Sequence, residues 1–150
     1  MDTTVHGVEI LLVEDNEHDA ELTMRALKRN NLANGLLHLR DGAEALDFIF
    51  GEGSFAGHAV EQRLRVIVLD INMPRVSGLE VLKRLKADER TCHIPVVVLT
   101  STKDDPIMKH CYELGVNSYV VKPVAFDAFF KEISALGFFW MIVNQVDKAQ

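Results

Sequence analysis

Five polar residues stand where short apolar runs end: Glu14 and Asp15 after Val8–Val13, Asp70 after Val66–Leu69, Thr100 after Val96–Leu99, and Lys122 after Tyr119–Val121. These residue types suit phosphoryl transfer. A carboxylate attacks phosphorus directly and forms an acyl phosphate. The phosphoryl group spreads its charge over three oxygens, so catalysis is mostly positioning and charge neutralisation. Mg²⁺ takes hard oxygen ligands in octahedral geometry and keeps several waters, so one or two carboxylates suffice to hold it. A lysine ammonium and a hydroxyl then meet the remaining phosphoryl oxygens as point charge and hydrogen-bond donor.

Each of these residues also has an ordinary explanation. Asp15 suits the N-cap of a following helix, and Asp70 a turn ahead of Met73-Pro74. Thr100 suits a cap, and Lys122 a solvated loop charge. Singly, those explanations prevail. Together they do not, because every one of these sites closes an apolar run, and turn chemistry gives no reason for a lysine there.

The elements that must position them are legible in the hydrophobic pattern. Val8–Val13, Leu36–Leu39, Val66–Leu69, Val96–Leu99 and Tyr119–Val121 alternate with helical patterns, which predicts a parallel sheet covered on both faces. In Glu17–Asn30, Ala20, Met24 and Leu27 share one helical face. Asp41 followed by Glu44 forms a capping box that opens a second helix holding Ala45, Leu46 and Ile49. Gly78, Val81, Leu82 and Leu85 make the stripe of a third. Asp105-Pro106 supplies an N-cap and first-turn proline for a fourth, and Gly115 a stop. A fifth helix beginning near Ala125 turns Phe126, Phe129, Phe130, Ile133 and Gly137 inward. Gly51–Leu64 is too long and glycine-rich for a tight connection and is expected to be an exposed loop. These five βα units predict an α/β fold in a single domain over residues 1–150, with its core at about 7–140 and a short tail. In such sheets ligands bind beyond the carboxyl ends of the strands, where the five polar residues stand.

Composition narrows the function classes. Charged residues make up 25% and hydrophobic residues 48%, as in an ordinary globular chain, and the net charge is −6. An acidic chain without a basic cluster does not suit nucleic acid or an anionic membrane, since phosphate neutralisation supplies most of that affinity. Cys92 and Cys111 show no ligand spacing and are read as reduced thiols of a cytoplasmic protein. Met1–Val5 lacks the features of a signal peptide, and the apolar stretch Phe138–Val143 is far shorter than the ~20 residues that span a bilayer.

As a set, Leu11-Leu12-Val13-Glu14-Asp15-Asn16, Val68-Leu69-Asp70-Ile71-Asn72-Met73-Pro74 with Gly78, Val97-Val98-Leu99-Thr100-Ser101 and Tyr119-Val120-Val121-Lys122-Pro123 resemble bacterial response-regulator receiver domains, from roughly Val8 to Trp140. The resemblance implies a flavodoxin-like (βα)5 doubly wound parallel sheet with strand order 2-1-3-4-5. It implies that Asp70 is the phosphoacceptor and that Asp15 and Asp70 bind Mg²⁺ directly. Glu14 would orient a metal-bound water and Asn72 would offer its backbone carbonyl. Thr100 and Lys122 would contact the phosphoryl group, with a cis Lys122-Pro123 bond aiming the ammonium. Tyr119, with Thr100, occupies the family's switch position, and Gly78 the point where the third helix packs tightly. The insertion Gly51–Leu64, the run Asn16-Glu17-His18-Asp19-Ala20 and the Phe139-Trp140 ending look like the small stand-alone regulators of phytochrome-type histidine kinases. The implied partner is therefore a sensor histidine kinase, with output through protein contacts and no catalysis beyond the protein's own phosphorylation and dephosphorylation. A phosphorelay intermediate and a chemotaxis-type regulator are the alternatives.

A haloacid-dehalogenase-type phosphatase also uses an aspartate nucleophile after a strand, but needs a second acid two residues on, where this chain has Asn72. A flavodoxin needs a phosphate-cradling loop after the first strand, where Glu14 and Asp15 would repel the phosphate. A phosphorylation-incompetent receiver would have lost a site residue, and none is lost. Two surfaces are expected. Leu22, Arg25, Ala26 and Arg29 lie roughly opposite the buried stripe of the first helix and form a kinase-docking face. Phe138, Phe139 and Ile142 fall outside the inward stripe of the fifth helix and predict a homodimer contact.

Overall fold

A computed structural model describes residues 8–29, 35–57, 64–73, 75–100, 105–116 and 118–121, with the backbone alone described at Ala26, Arg29, Thr100, Asp105, Ser118 and Val120. The apolar runs form strands β1 (Ile10–Val13), β2 (Leu36–Leu39), β3 (Val66–Asp70), β4 (Val96–Thr100) and β5 (Ser118–Val121). They make one parallel sheet in the order β2-β1-β3-β4-β5. The helices between them are α1 (Glu17–Arg29), α2 (Gly42–Phe50), α3 (Gly78–Ala87) and α4 (Asp105–Glu113). The strand order is the flavodoxin-like one. The segment expected to form the fifth helix lies outside the described residues.

The strands are apolar on both sides because helices cover both faces of the sheet. Leu11, Val13, Ile67, Leu69, Val96 and Val98 share one core cluster with Ala45 and Ile49 of α2, Val81, Leu82 and Leu85 of α3, and Cys111 of α4. The alternate residues Ile10, Leu12, Val66, Val68, Val97 and Leu99 share the other with Ala20 and Leu27 of α1. Strand periodicity thus sorts neighbouring side chains onto opposite layers. Burying such side chains contributes roughly 1.5–3 kcal/mol each, so the strand positions that carry the site are set by the best-packed part of the molecule.

Local chemistry fixes the helix starts. The Asn16 side chain accepts a hydrogen bond from the Asp19 N–H at 2.9 Å and caps α1. Asp41 accepts from the Glu44 N–H at 2.8 Å and caps α2, as the capping box predicts. Ser77 does the same for α3 through the Glu80 N–H. For α4 the described residues open at Asp105, which is itself helical, one position before the Pro106 expected to start the helix. The expected loop after α2 contains a 3₁₀ turn, Gly53–Phe55, whose Phe55 ring meets Phe48 edge-on at 5.2 Å. Packing against that aromatic ring orders the start of a segment that turn chemistry alone would leave exposed.

Candidate functional site

Strand register brings the acids together. Val13 pairs with Leu69, and Asp70 pairs with Leu99, so Glu14 follows β1 at the level of Asp70. Carboxylate oxygens of Glu14, Asp15 and Asp70 all lie within 4.8 Å of one another. Glu14 is fully buried and Asp70 is 5% exposed, while Asp15 is exposed. Asp70 Oδ1 accepts the Asn72 N–H at 3.1 Å, and Glu14 Oε2 accepts the Asn16 N–H at 3.2 Å. The ordinary explanation for Asp15 now lapses, while Asp70 does make a local turn bond to Asn72. Asn16, not Asp15, caps α1.

Two buried carboxylates beside a third acid are costly to keep ionised unless positive charge or hydrogen bonds compensate. The donor set tests which positive charge fits. An octahedral Mg²⁺ site places adjacent ligand oxygens roughly 2.9 Å apart and opposite ones roughly 4.1 Å apart. The spread of this cluster needs only small closure to reach those distances, and its donors are the hard oxygens such an ion takes. A divalent cation fits. Soft or nitrogen-seeking metals do not suit an all-carboxylate set.

The remaining expected residues fall in several places. Asn72 is exposed beside Asp70, to which its backbone is bonded. Thr100 ends β4 one position past Leu99, the register partner of Asp70, so its backbone stands on the same rim. Its side chain lies outside the described set, as do Lys122 and the Lys122-Pro123 bond. Tyr119 is buried in the core of the α2–α4 face, its ring 6.5 Å from that of exposed Tyr112 on α4. On α1, Arg25 is exposed and ion-paired with Glu21 at 2.7 Å. Leu22 is half-buried and packs against the inner cluster, so the exposed face of α1 is narrower than the pattern implies. The side chains of Ala26 and Arg29, and all of Phe138, Phe139 and Ile142, are outside the described residues.

Sequence reasoning missed the residues that brace the site from β2 and α2. The His38 ring Nε2 lies 2.8 Å from the Glu14 carbonyl oxygen, so that nitrogen is the donor. Arg75 has a φ of 64°, and its guanidinium donates to both oxygens of Asp41 at 2.8 and 2.9 Å. Burial raises the Asp41 carboxyl, but the hydrogen bonds and charge of Arg75 and the Glu44 N–H together bring it below its ordinary value. Asp41 was legible as a cap. Nothing local marks Arg75 as its partner.

Residues 10–134 match the response regulator receiver domain family. The chain is 39% identical over 137 residues to the probable methanogenesis regulatory protein FilR2 of Methanothrix harundinacea, covering 91% of this chain and 85% of that protein. It is 36% identical to response regulator Rcp1 of Synechocystis, over 88% of each. The Mn²⁺-bound crystal structure of Rcp1 superposes with a TM-score of 0.79, covering 89% of this chain and 94% of that one. The bacteriophytochrome response regulator RtBRR is 47% identical, with a TM-score of 0.73, over 87% of this chain and 78% of that one.

Proposed function

The chain belongs to the response regulator receiver domain family, and we propose that it takes a phosphoryl group from a sensor histidine kinase onto Asp70. The observation that carries this reading is the acid cluster. Asp70 is buried at a strand end, has no capping duty, and has two further carboxylates within 4.8 Å. An Asp70 carboxylate oxygen attacks phosphorus, the bond from phosphorus to the kinase imidazole nitrogen breaks, and the freed imidazole retains the electron pair. The Asn72 N–H holds Asp70 Oδ1, which restrains the carboxylate at the strand end.

Receiver domains bind a divalent metal, and Mg²⁺ is the ion proposed here. Asp15 and Asp70 would hold it, with the Asn72 carbonyl, and with Glu14 acting through a water. When bound it supplies positive charge to the phosphoryl oxygens. Lys122 and Thr100 are assigned to those oxygens as well, and Thr100 with Tyr119 to the switch that follows. The Mn²⁺-bound form of the similar Rcp1 supports a divalent ion as the ligand.

Similarity to Rcp1 and to a bacteriophytochrome response regulator favours a phytochrome-like kinase in the cytoplasm, reached through the Leu22, Arg25, Ala26 and Arg29 face. Output runs through protein contacts, and a second copy of the chain is expected to pair through Phe138, Phe139 and Ile142. Incubation with ³²P-labelled acetyl phosphate and Mg²⁺ tests the assignment. Wild type should be labelled and Asp70→Asn should not, because an amide is a far weaker nucleophile. Labelling of Asp70→Asn at the wild-type level overturns it.

A further inference from the structure

Five consecutive residues, His38 to Gly42, supply no member of the acid cluster, yet each touches a segment that leads into it. The His38 ring donates to the Glu14 carbonyl at 2.8 Å, and the Leu39 carbonyl accepts the Glu14 N–H at 3.0 Å. Arg40 pairs with Glu17, the first residue of α1, at 2.6 Å. Asp41 takes both hydrogen bonds of Arg75. A Cβ on Gly42 would stand 2.1 Å from the Val76 carbonyl oxygen, so α2 begins flush against the turn after β3.

These contacts divide into two sets. His38 and Leu39 hold the turn after β1, which carries Glu14 and Asp15. Asp41 and Gly42 hold the turn after β3, which carries Asn72. Arg75 sits in that second turn at a φ of 64°, a conformation sparsely populated by residues other than glycine. Such a conformation persists only where surrounding contacts over-determine it. Here the Asp41 pair and the close approach of Gly42 do so.

We infer that the β2–α2 turn is a positioning element that sets the gap between the two acid-bearing turns, and thereby the affinity of the cluster for a divalent cation. This rests on the metal reading of Glu14, Asp15 and Asp70 given above. Asp15 and Asn72 stand on turns that continue beyond the directly paired ends of β1 and β3. The bracket joins those turns through the backbone of residues 38–42. Within it the Arg40–Glu17 pair is exposed on both sides, 58% and 77%, and adds little. The Asp41–Arg75 pair is different, because Asp41 is 15% exposed and also caps α2.

Two substitutions separate the bracket from simple folding. Asp41→Asn keeps the side-chain acceptor for the Glu44 N–H, and Asn caps as well as Asp. It removes only the charge that holds Arg75. Arg75→Gly removes the guanidinium while permitting the positive φ. Titration of the full chain with Mn²⁺, followed by electron paramagnetic resonance, reads the effect. Each variant should bind Mn²⁺ roughly threefold to tenfold more weakly than wild type, the lower part of the range seen when groups behind metal ligands are removed. The double variant should be no weaker than the weaker single, since both break one pair. Asp41→Asn should stay folded without metal, and saturating Mg²⁺ should restore its rate of labelling by acetyl phosphate. Arg40→Gln should leave affinity within about twofold.

Asp41→Asn binding Mn²⁺ as wild type does, while Asp15→Ala weakens it, overturns the inference and leaves the metal reading standing. Equal binding by wild type and Asp15→Ala overturns the metal reading and the inference together. Should Arg75→Gly fail to fold, Asp41→Asn alone decides.

Discussion

A Cβ on Gly78 would lie 2.1 Å from the carbonyl oxygen of Asp70 and 2.7 Å from the Cα of Ile71. The Gly78 N–H donates to the Ile71 carbonyl at 2.9 Å, so the first turn of α3 rests directly on the end of β3. The helix start is the back wall of the Asp70 position. It leaves the end of β3 no room to relax toward α3.

Gly78→Ala should therefore displace the end of β3 or the start of α3. Overpacking of this kind costs about 1–3 kcal/mol, and urea unfolding should show a loss in that range. Labelling by acetyl phosphate should fall as well, because the displaced backbone carries Asp70, the proposed phosphoacceptor. A stable, fully active Gly78→Ala protein would show that the close approach is dispensable.

Asp15→Asn is expected to split stability from metal response. In metal-free protein it removes one of three clustered negative charges, a gain on the order of 1 kcal/mol after solvent screening of an exposed group. The thermal midpoint without metal should rise by roughly 2–4 °C. The further rise that Mg²⁺ gives wild type should shrink or vanish, because a ligand has lost its charge. Differential scanning calorimetry with Mg²⁺ and with chelator measures both. Under chelator, labelling of wild type by acetyl phosphate should stop.

The parts of this molecule written in local pattern were legible. Apolar runs placed the strands within a residue or two, since burial on both faces leaves no polar alternation to confuse them. The Asp41–Glu44 spacing marked a cap that the structure contains. The rim of acids followed from strand ends alone. What escaped was joined through space. Asp41 and Arg75 are 34 residues apart, and the positive φ of Arg75 is imposed by tertiary contacts, not by its own preference. His38 reads as the polar residue of an edge strand, and only the adjacency of β2 and β1 reveals its bond to the Glu14 carbonyl. Asp15 reads as the cap of α1, and only the geometry gives that cap to Asn16.

Asp41 should also mark the acid limb of stability. Its carboxyl titrates in the folded state below its ordinary value of 3.8, because Arg75 and the α2 backbone outweigh the effect of burial. A group depressed in this way favours folding in full above its unfolded value and loses that contribution as pH falls through the folded one. The difference in unfolding free energy between wild type and Asp41→Asn should thus be steady near neutral pH and shrink below about 3.8. Paired urea titrations across that range test it. A difference that grows with acid would reverse the assigned direction.

The proposed kinase face can be tested apart from the chemistry. On α1, Arg25 is exposed and, among the described residues, pairs with Glu21 at the surface, a contact worth ~0.3–0.5 kcal/mol, so Arg25→Glu should not unfold the protein. Leu22 packs against the inner cluster, so Leu22→Asp combines any docking defect with lost burial. Arg25→Glu is therefore the cleaner probe. A histidine-bearing helix must approach the rim at Asp70, and α1 begins two residues after Asp15 on that rim. Reversing one charge there should slow transfer from the phosphorylated kinase about tenfold, an effect of ~1.4 kcal/mol on the docking step, and more steeply at low salt. Labelling by acetyl phosphate needs no docking and should stay at the wild-type rate. Equal slowing of both reactions would place the defect at the acid cluster, and no slowing of either would remove Arg25 from the kinase face.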